Sequence, residues 1–282
     1  MRTHRLFLIS AALLLAGLAC NVGAVLSPGT PTSLPPTAIP LLPTATIPPD
    51  PKLESIFISQ PGSNSSITSP VTVSGEADST FEQNLVVMVT GEDGAQLALA
   101  PTTIQAPLGQ RGAFSLELAF AVAAEQPGRV SVFSTNAMTG GIDHLASVEV
   151  TLLPSGSASP SSNPPAPESI AISSPLHSAV VSGGSIAVSG FSDYYFESSL
   201  GLALCGGGAS GDADDLCGTT GNVLATGTAT INAPDIGQPG PFSGSLSYSI
   251  SAPTSGRLVV YATSPRDGGI LHLSSVPLQL QP

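Results

Sequence analysis

The sequence predicts an all-β protein: two tandem antiparallel β-sandwich domains behind an export signal and a Pro/Thr-rich linker. Three observations carry this. The chain repeats itself: Glu54-Ser55-Ile56-Phe57-Ile58 returns as Glu168-Ser169-Ile170-Ala171-Ile172, and Val73-Ser74-Gly75 as Val188-Ser189-Gly190. Phe81-Glu82 likewise returns as Phe196-Glu197, and Gly140-Gly141-Ile142-Asp143-His144-Leu145 as Gly268-Gly269-Ile270-Leu271-His272-Leu273. Each copy runs about 100 residues, which is domain size; solenoid repeats run roughly 20–50. Within each copy apolar and polar residues alternate at period two, the mark of half-buried strands. Turn signals separate these runs at about ten-residue spacing, as a sandwich of short strands requires.

The elements follow in order. Arg2 and Arg5 precede an apolar stretch, Leu6 to Leu18, that is too short to span a membrane, for which about 20 apolar residues are needed. It ends in Gly17-Leu18-Ala19-Cys20, which resembles the lipobox of bacterial lipoproteins. That resemblance implies a signal peptide over 1–19 and lipid attachment at Cys20, hence an exported, membrane-anchored protein on the extracytoplasmic face. The alternative is an ordinary signal peptide cut nearby, with Cys20 incidental. Residues 20–53 form a disordered Pro/Thr-rich linker that builds no core and favours polyproline II. Its 26 residues from Ser27 to Lys52 reach roughly 80 Å when fully extended.

The first domain spans 54–152. Ile56 and Ile58 alternate with Ser55, Phe57 and Ser59, and Val71 and Val73 with Thr72 and Ser74; Phe114, Leu116, Leu118 and Phe120 share a face, as do Val130 and Val132, then Val148, Val150 and Leu152. Pro61-Gly62, Glu92-Asp93-Gly94, Pro127-Gly128 and Gly140-Gly141 mark the turns. A Ser/Pro-rich linker follows over 153–167. The second domain, 168–282, repeats the pattern with Ile170/Ile172, Ile186/Val188, Leu200/Leu202/Leu204, Leu246/Tyr248/Ile250 and Leu258/Val260.

In order, and twice, the copies carry Ile-x-Ile-x-x-Pro, a Val-Ser-Gly strand end, Phe-Glu-x-x-Leu, Gly-x-Phe and a closing Gly-Gly. The first copy adds Pro70-Val71-Thr72-Val73-Ser74-Gly75 and Gly128-Arg129-Val130-Ser131-Val132. This series resembles the Gmad2 module, the immunoglobulin-like domain of bacterial spore germination. The resemblance covers 54–152 and 168–281. It implies two immunoglobulin-like sandwiches and a non-catalytic role in binding the cell surface or wall, and it brings no catalytic residues with it.

Composition narrows the function. The net charge is −12; without the signal's two arginines it is 5 basic against 19 acidic residues, or −14. Phosphate binding rests on clustered Lys and Arg, so nucleic acid is excluded as a natural partner. Only 9% of residues are charged, so the surface is built from Ser, Thr, Asn, Gly and Ala. With Cys20 lipidated, Cys205 and Cys217 remain as a close pair, and export predicts a disulfide between them.

Residues kept in both copies serve the fold; residues in one copy are candidates for a particular job. Phe81 and Phe196 read as core residues, each beside a Glu that accepts bonds from a turn. Gly75 and Gly190 read as positive-φ or bulge positions. His144 and His272 each lack a second His or a Cys at ligand spacing, so both read as strand-end residues facing solvent, and no metal or cofactor is expected. The second domain carries an insertion with Gly206-Gly207-Gly208-Ala209-Ser210-Gly211-Asp212-Ala213-Asp214-Asp215. Such a run reads as a solvated turn; calcium is its alternative, since hard cations take several oxygens, although the spacing is not that of an EF-hand. Tyr194 and Tyr195 replace Ser79 and Thr80 of the first copy and are the candidate ligand-binding aromatics; the alternative is that one packs and the other caps a sandwich edge. No nucleophile elbow or placed His/Asp pair supports catalysis. The sequence thus predicts a lipid-anchored surface protein whose two modules bind wall polymer, extracellular glycan or a surface protein. The alternative is a structural spacer or assembly subunit of the envelope without a specific ligand.

Overall fold

Period-two alternation becomes strand almost throughout the computed structural model, which describes residues 52–207 and 216–282. The predicted signal, Cys20, most of the N-terminal linker and the acidic run 208–215 lie outside the described residues. The described residues belong to one compact unit, Pro48–Pro282. No helix among them is long and apolar enough to cross a membrane.

The first half contains β1 (Ile56–Gln60), β2 (Ser65–Thr68), β3 (Val71–Ala77), β4 (Asn84–Thr90), β5 (Gln96–Thr103), β6 (Gly112–Leu118), β7 (Gln126–Thr135) and β8 (Ile142–Leu153). Strands β1-β3-β6 form one antiparallel sheet; β5-β4-β7-β8 form the other, with β2 alongside β8 in parallel. Their inner faces share one core, with Ile56, Val73 and Phe114 from the first sheet and Val87, Val130 and Val148 from the second. Each aliphatic side chain so buried contributes roughly 1.5–3 kcal/mol.

The second half repeats this with β9 (Ile170–Ser174), β10 (Ala179–Val181), β11 (Ser185–Ser192), β12 (Ser199–Gly207), β13 (Gly221–Ile231), β14 (Gly240–Ser247), β15 (Thr254–Thr263) and β16 (Ile270–Leu280). One difference is structural. Here β13 is long enough to pair with β12 and then, through Ala229–Ile231, with β14, so the two sheets run into each other. In both halves the fold is the antiparallel sandwich that the alternation predicts, immunoglobulin-like as the Gmad2 resemblance implies.

Of the two readings for Gly75 and Gly190, positive φ or a bulge, the structure agrees with the bulge. Neither has positive φ. Each lies beside a register shift, and a Cβ at Gly75 would stand 1.8 Å from the Phe57 carbonyl oxygen, one at Gly190 2.1 Å from that of Ala171. Close backbone approach, with the ring of Phe114 or Phe242 packed over it, is what requires glycine.

The two halves meet edge to edge. Strand β8 pairs antiparallel with β16 through Leu145↔Leu273 and Ala146↔His272. Leu145 and Leu273 are equivalent residues of the two copies, so this pairing places a local twofold axis between them. The segment 153–167 does not span freely between the halves: Ser159 bridges to Ser66, and Ser161 and Asn163 bond back to β1, β2 and the turn between them. Leu53 bridges Pro167, so the two entry strands lie side by side.

Candidate functional site at the junction of the halves

The twofold relation brings together residues that the sequence keeps far apart. Glu54 and Glu168 precede β1 and β9. Their backbones are tied crosswise, with Glu54 N–H donating to the Ala166 carbonyl (3.0 Å) and Glu168 N–H to that of Lys52 (2.8 Å). Their carboxylates then exchange partners: Ser169 N–H donates to Glu54 Oε2 (2.9 Å) and Ser55 N–H to Glu168 Oε2 (3.0 Å). The Glu-Ser-Ile motif occurs twice because each copy caps the other.

His144 in β8 and His272 in β16 face these carboxylates. His144 Nε2 lies 2.9 Å from Glu54 Oε1, and His272 Nε2 lies 3.2 Å from Glu168 Oε1. The crossed distances are 3.6 Å for His144–Glu168 and 3.7 Å for His272–Glu54. The rings meet edge to face with centroids 5.1 Å apart. Ser274 Oγ adds a bond to Glu168 Oε1 at 3.0 Å; its counterpart Ala146 has none to give. Burial by itself raises the Glu168 pKa, but the His272 hydrogen bond and the His144, His272 and Lys52 charges outweigh it and hold the carboxyl at about 2. For His272 burial opposes protonation, and the neighbouring Glu54 and Glu168 outweigh it, so its pKa is raised.

Around this centre the reciprocity continues. Ser147 Oγ donates to the Leu271 carbonyl (2.6 Å), and the equivalent Ser275 Oγ to that of Asp143 (2.7 Å). The equivalent arginines diverge. Arg129 Nη2 donates to both carboxylate oxygens of the buried Asp267, each at 3.0 Å. Arg257 donates to the Ile142 and Leu216 carbonyls and pairs with Asp143 at 3.1 Å. The Cys205–Cys217 disulfide is formed, with Cα atoms 5.4 Å apart. Both cysteines are buried in a third apolar cluster with Phe133, Leu145, Leu216 and Leu273, which belongs to the junction. The turn after Cys217 packs on the β7–β8 turn of the first half, where Thr220 Oγ1 donates to the Met138 carbonyl at 2.9 Å. A groove of about 350 Å³ opens beside the centre, lined among others by Asp78, Ser79, Thr80, Asp143, His144 and Glu168.

Residues 55–141 match the Gmad2 family, described as the immunoglobulin-like domain of bacterial spore germination. Glu54 and His144 flank that Gmad2 match, one just before it and one just after. No curated protein sequence matches the chain. Among solved structures it is similar to red sea bream transglutaminase (10% identity, TM-score 0.26, covering 82% of this chain and 31% of that one). It is similar also to the titin domains z1z2 in complex with telethonin (13%, 0.18, 81% and 96%). A third is CfaE, the adhesive subunit of the CFA/I fimbria of enterotoxigenic Escherichia coli (11%, 0.19, 81% and 83%). This chain thus spans about a third of the transglutaminase. TM-scores this low carry no functional inference.

Several site expectations are corrected by the geometry. His144 and His272 neither stand alone nor face solvent as strand-end residues: His272 is buried, His144 nearly so, and each is the other's neighbour. Sequence spacing could not show this, because the pair is assembled across the twofold axis. The available signal was retention: two acids and two histidines recur at matched positions in a chain with only 9% charged residues. Phe81 and Phe196 are not core residues but are 62% and 58% exposed. Tyr195 follows the packing alternative and not the ligand-binding one: it packs on the second core, its hydroxyl lies 2.9 Å from Ser169 Oγ, and burial pushes its pKa up. Tyr194 is half-buried.

Proposed function

We propose that this chain is a lipid-anchored protein of the extracytoplasmic surface whose two Gmad2-like modules act as one rigid, non-catalytic binding unit for cell-wall polymer or another extracellular glycan. Cys20 holds it to the membrane, and the Pro/Thr segment stands it off. The observation that supports binding is the pair of equivalent turns carrying Phe81 and Phe196. Each exposed ring is followed by two non-glycine residues with left-handed backbone: Glu82 and Gln83 at φ 53° and 59°, Glu197 and Ser198 at 57° and 51°. Such residues cost roughly 1–3 kcal/mol each and persist where structure or function requires them. Here the strained turn recurs and holds an apolar ring in water, where it can stack on a sugar face. Asp78, Ser79 and Thr80, on the groove wall, lead directly into Phe81 and offer the hydroxyl and carboxylate groups that sugar hydroxyls need.

Co-sedimentation of the purified unit 48–282 with isolated cell-wall sacculi tests this. Saturable pelleting is expected, weakened by about tenfold or more in Phe81→Ala/Phe196→Ala, the scale of losing a buried aromatic anchor. Tyr194→Ala is expected to change it little. No pelleting above background rejects wall binding and leaves the envelope spacer, which the rigid junction also suits.

A further inference from the structure

We propose that Glu54, His144, Glu168 and His272 form a four-coordinate site for a divalent transition-metal ion, zinc above all, with one Glu and one His supplied by each half. The four atoms Glu54 Oε1, His144 Nε2, Glu168 Oε1 and His272 Nε2 are mutually within 4.8 Å. A tetrahedral zinc ion with bonds of about 2.0–2.1 Å sets its ligand atoms about 3.3 Å apart. The four nitrogen–oxygen separations here, 2.9, 3.2, 3.6 and 3.7 Å, bracket that value. The donor set is also chemically apt, since imidazole with carboxylate suits zinc and its neighbours.

Charge makes the same case. Two carboxylates lie buried side by side, and buried charge requires compensation. Among the described residues Glu54 pairs only with the two histidines, and Glu168 adds only Lys52, 3.8 Å away and 65% exposed. A dication among the four ligands neutralises both acids with neutral imidazoles. The other carboxylate oxygens are already fixed by Ser169 N–H and Ser55 N–H, and Ser274 Oγ holds Glu168, which is the supporting shell that orients metal ligands. Four protein ligands leave no open position, so the ion is structural: it staples the two halves.

The untagged full-length chain, stripped with chelator, is titrated with Zn²⁺ and separately with Co²⁺. One equivalent of Zn²⁺ is expected, with a rise in Tm of about 5–15 °C at saturation. Co²⁺ should give the intense visible absorption of a tetrahedral site. Glu54→Gln/Glu168→Gln, which keeps the shape and the serine contacts, should lose binding by 100-fold or more; His177→Ala, at an exposed histidine elsewhere, should change nothing. Ser274→Ala should weaken binding about 10–100-fold. Absence of stoichiometric Zn²⁺, a weak octahedral Co²⁺ spectrum, or equal binding by the double Gln variant overturns the site. Should the variants fail to fold, an anomalous-diffraction peak in the Zn²⁺-loaded wild type, at or away from these four atoms, decides the question alone.

Discussion

The junction between the halves has two sides built by different rules. On one side the central contacts are made twice with roles exchanged: Glu54 with Glu168, His144 with His272, Ser147 with Ser275. That is the isologous geometry of a twofold dimer, enclosed within one chain. On the other side the contacts occur once, and even the equivalent Arg129 and Arg257 take different partners. Asp267 stands where the first half has Thr139, and the disulfide-closed loop after β12 has no counterpart. Repetition is enough to make two sandwiches self-complementary. Single-copy residues then hold this one pairing against other arrangements of the same faces.

The largest effect is expected on the single-copy side. Arg129 and Asp267 have side chains only 3% and 0% exposed, and Arg129 Nε has no hydrogen-bond partner among the described residues. Arg129→Ala takes from Asp267 its buried cation, leaving it only the part-exposed Arg266 and the Gly269 N–H, and is expected to cost about 3–5 kcal/mol in urea denaturation. Arg129→Met/Asp267→Leu should recover most of that loss, since apolar replacement of a buried pair is often neutral. The pair also has a pH signature. Burial tends to raise the Asp267 pKa from 3.8, but the Arg129 hydrogen bond, the Gly269 N–H and the Arg129 and Arg266 contacts outweigh it and bring it to about 2. A depressed carboxyl pKa stabilises fully above the unfolded value and loses that contribution as pH falls through the folded one. Wild-type stability attributable to the pair should therefore decline between about pH 4 and 2, while Asp267→Asn is lower at neutral pH and flatter across that window. An unchanged slope in Asp267→Asn would assign the acid sensitivity elsewhere.

Next comes the disulfide. Opening the loop between Cys205 and Cys217, a separation of 12 residues, is expected to cost about 3 kcal/mol by loop entropy. Cys205→Ser/Cys217→Ser should thus shift the urea midpoint less than Arg129→Ala does. Intact mass without reduction should show the wild-type pair linked. A double Ser variant as stable as wild type would mean that the apolar contacts of Leu216 and its neighbours hold the junction without the bond.

The strands were legible in the sequence because period-two burial is a local property: Ile56/Ile58, Val130/Val132 and Leu200/Leu202/Leu204 announce their inward faces without reference to anything distant. Cys205–Cys217 was legible for a similar reason, being close in sequence and even in number once Cys20 is set aside. The His/Glu centre was not, because no ligand pair is nearer than 90 residues within a half. Its assembly depends on which sheet edges meet, and that is decided by β8 against β16, not by any one segment. Phe81 and Phe196 misled for a different reason: an apolar residue flanking a strand is usually buried, and only the left-handed turn that follows lifts the ring outward.

The smallest effect tests the symmetric side most sharply. Ser147 and Ser275 each donate one hydrogen bond to a backbone carbonyl of the opposite half, at 2.6 and 2.7 Å. A bond of this kind is worth about 1 kcal/mol net, and its loss leaves a carbonyl in a partly buried place. If the axis through Leu145 and Leu273 governs the energetics as it governs the geometry, Ser147→Ala and Ser275→Ala should each cost about 1 kcal/mol, agreeing within error. Ser275 Oγ differs in one respect: it also lies 3.5 Å from Arg257 Nη1, at the edge of hydrogen-bonding range. A clearly larger loss for Ser275→Ala in parallel urea titrations would show that the Arg257 network, anchored on the single-copy loop through the Leu216 carbonyl, reaches into the symmetric core. Equal losses would confine the asymmetry to the disulfide side, where the sequence itself departs from repetition.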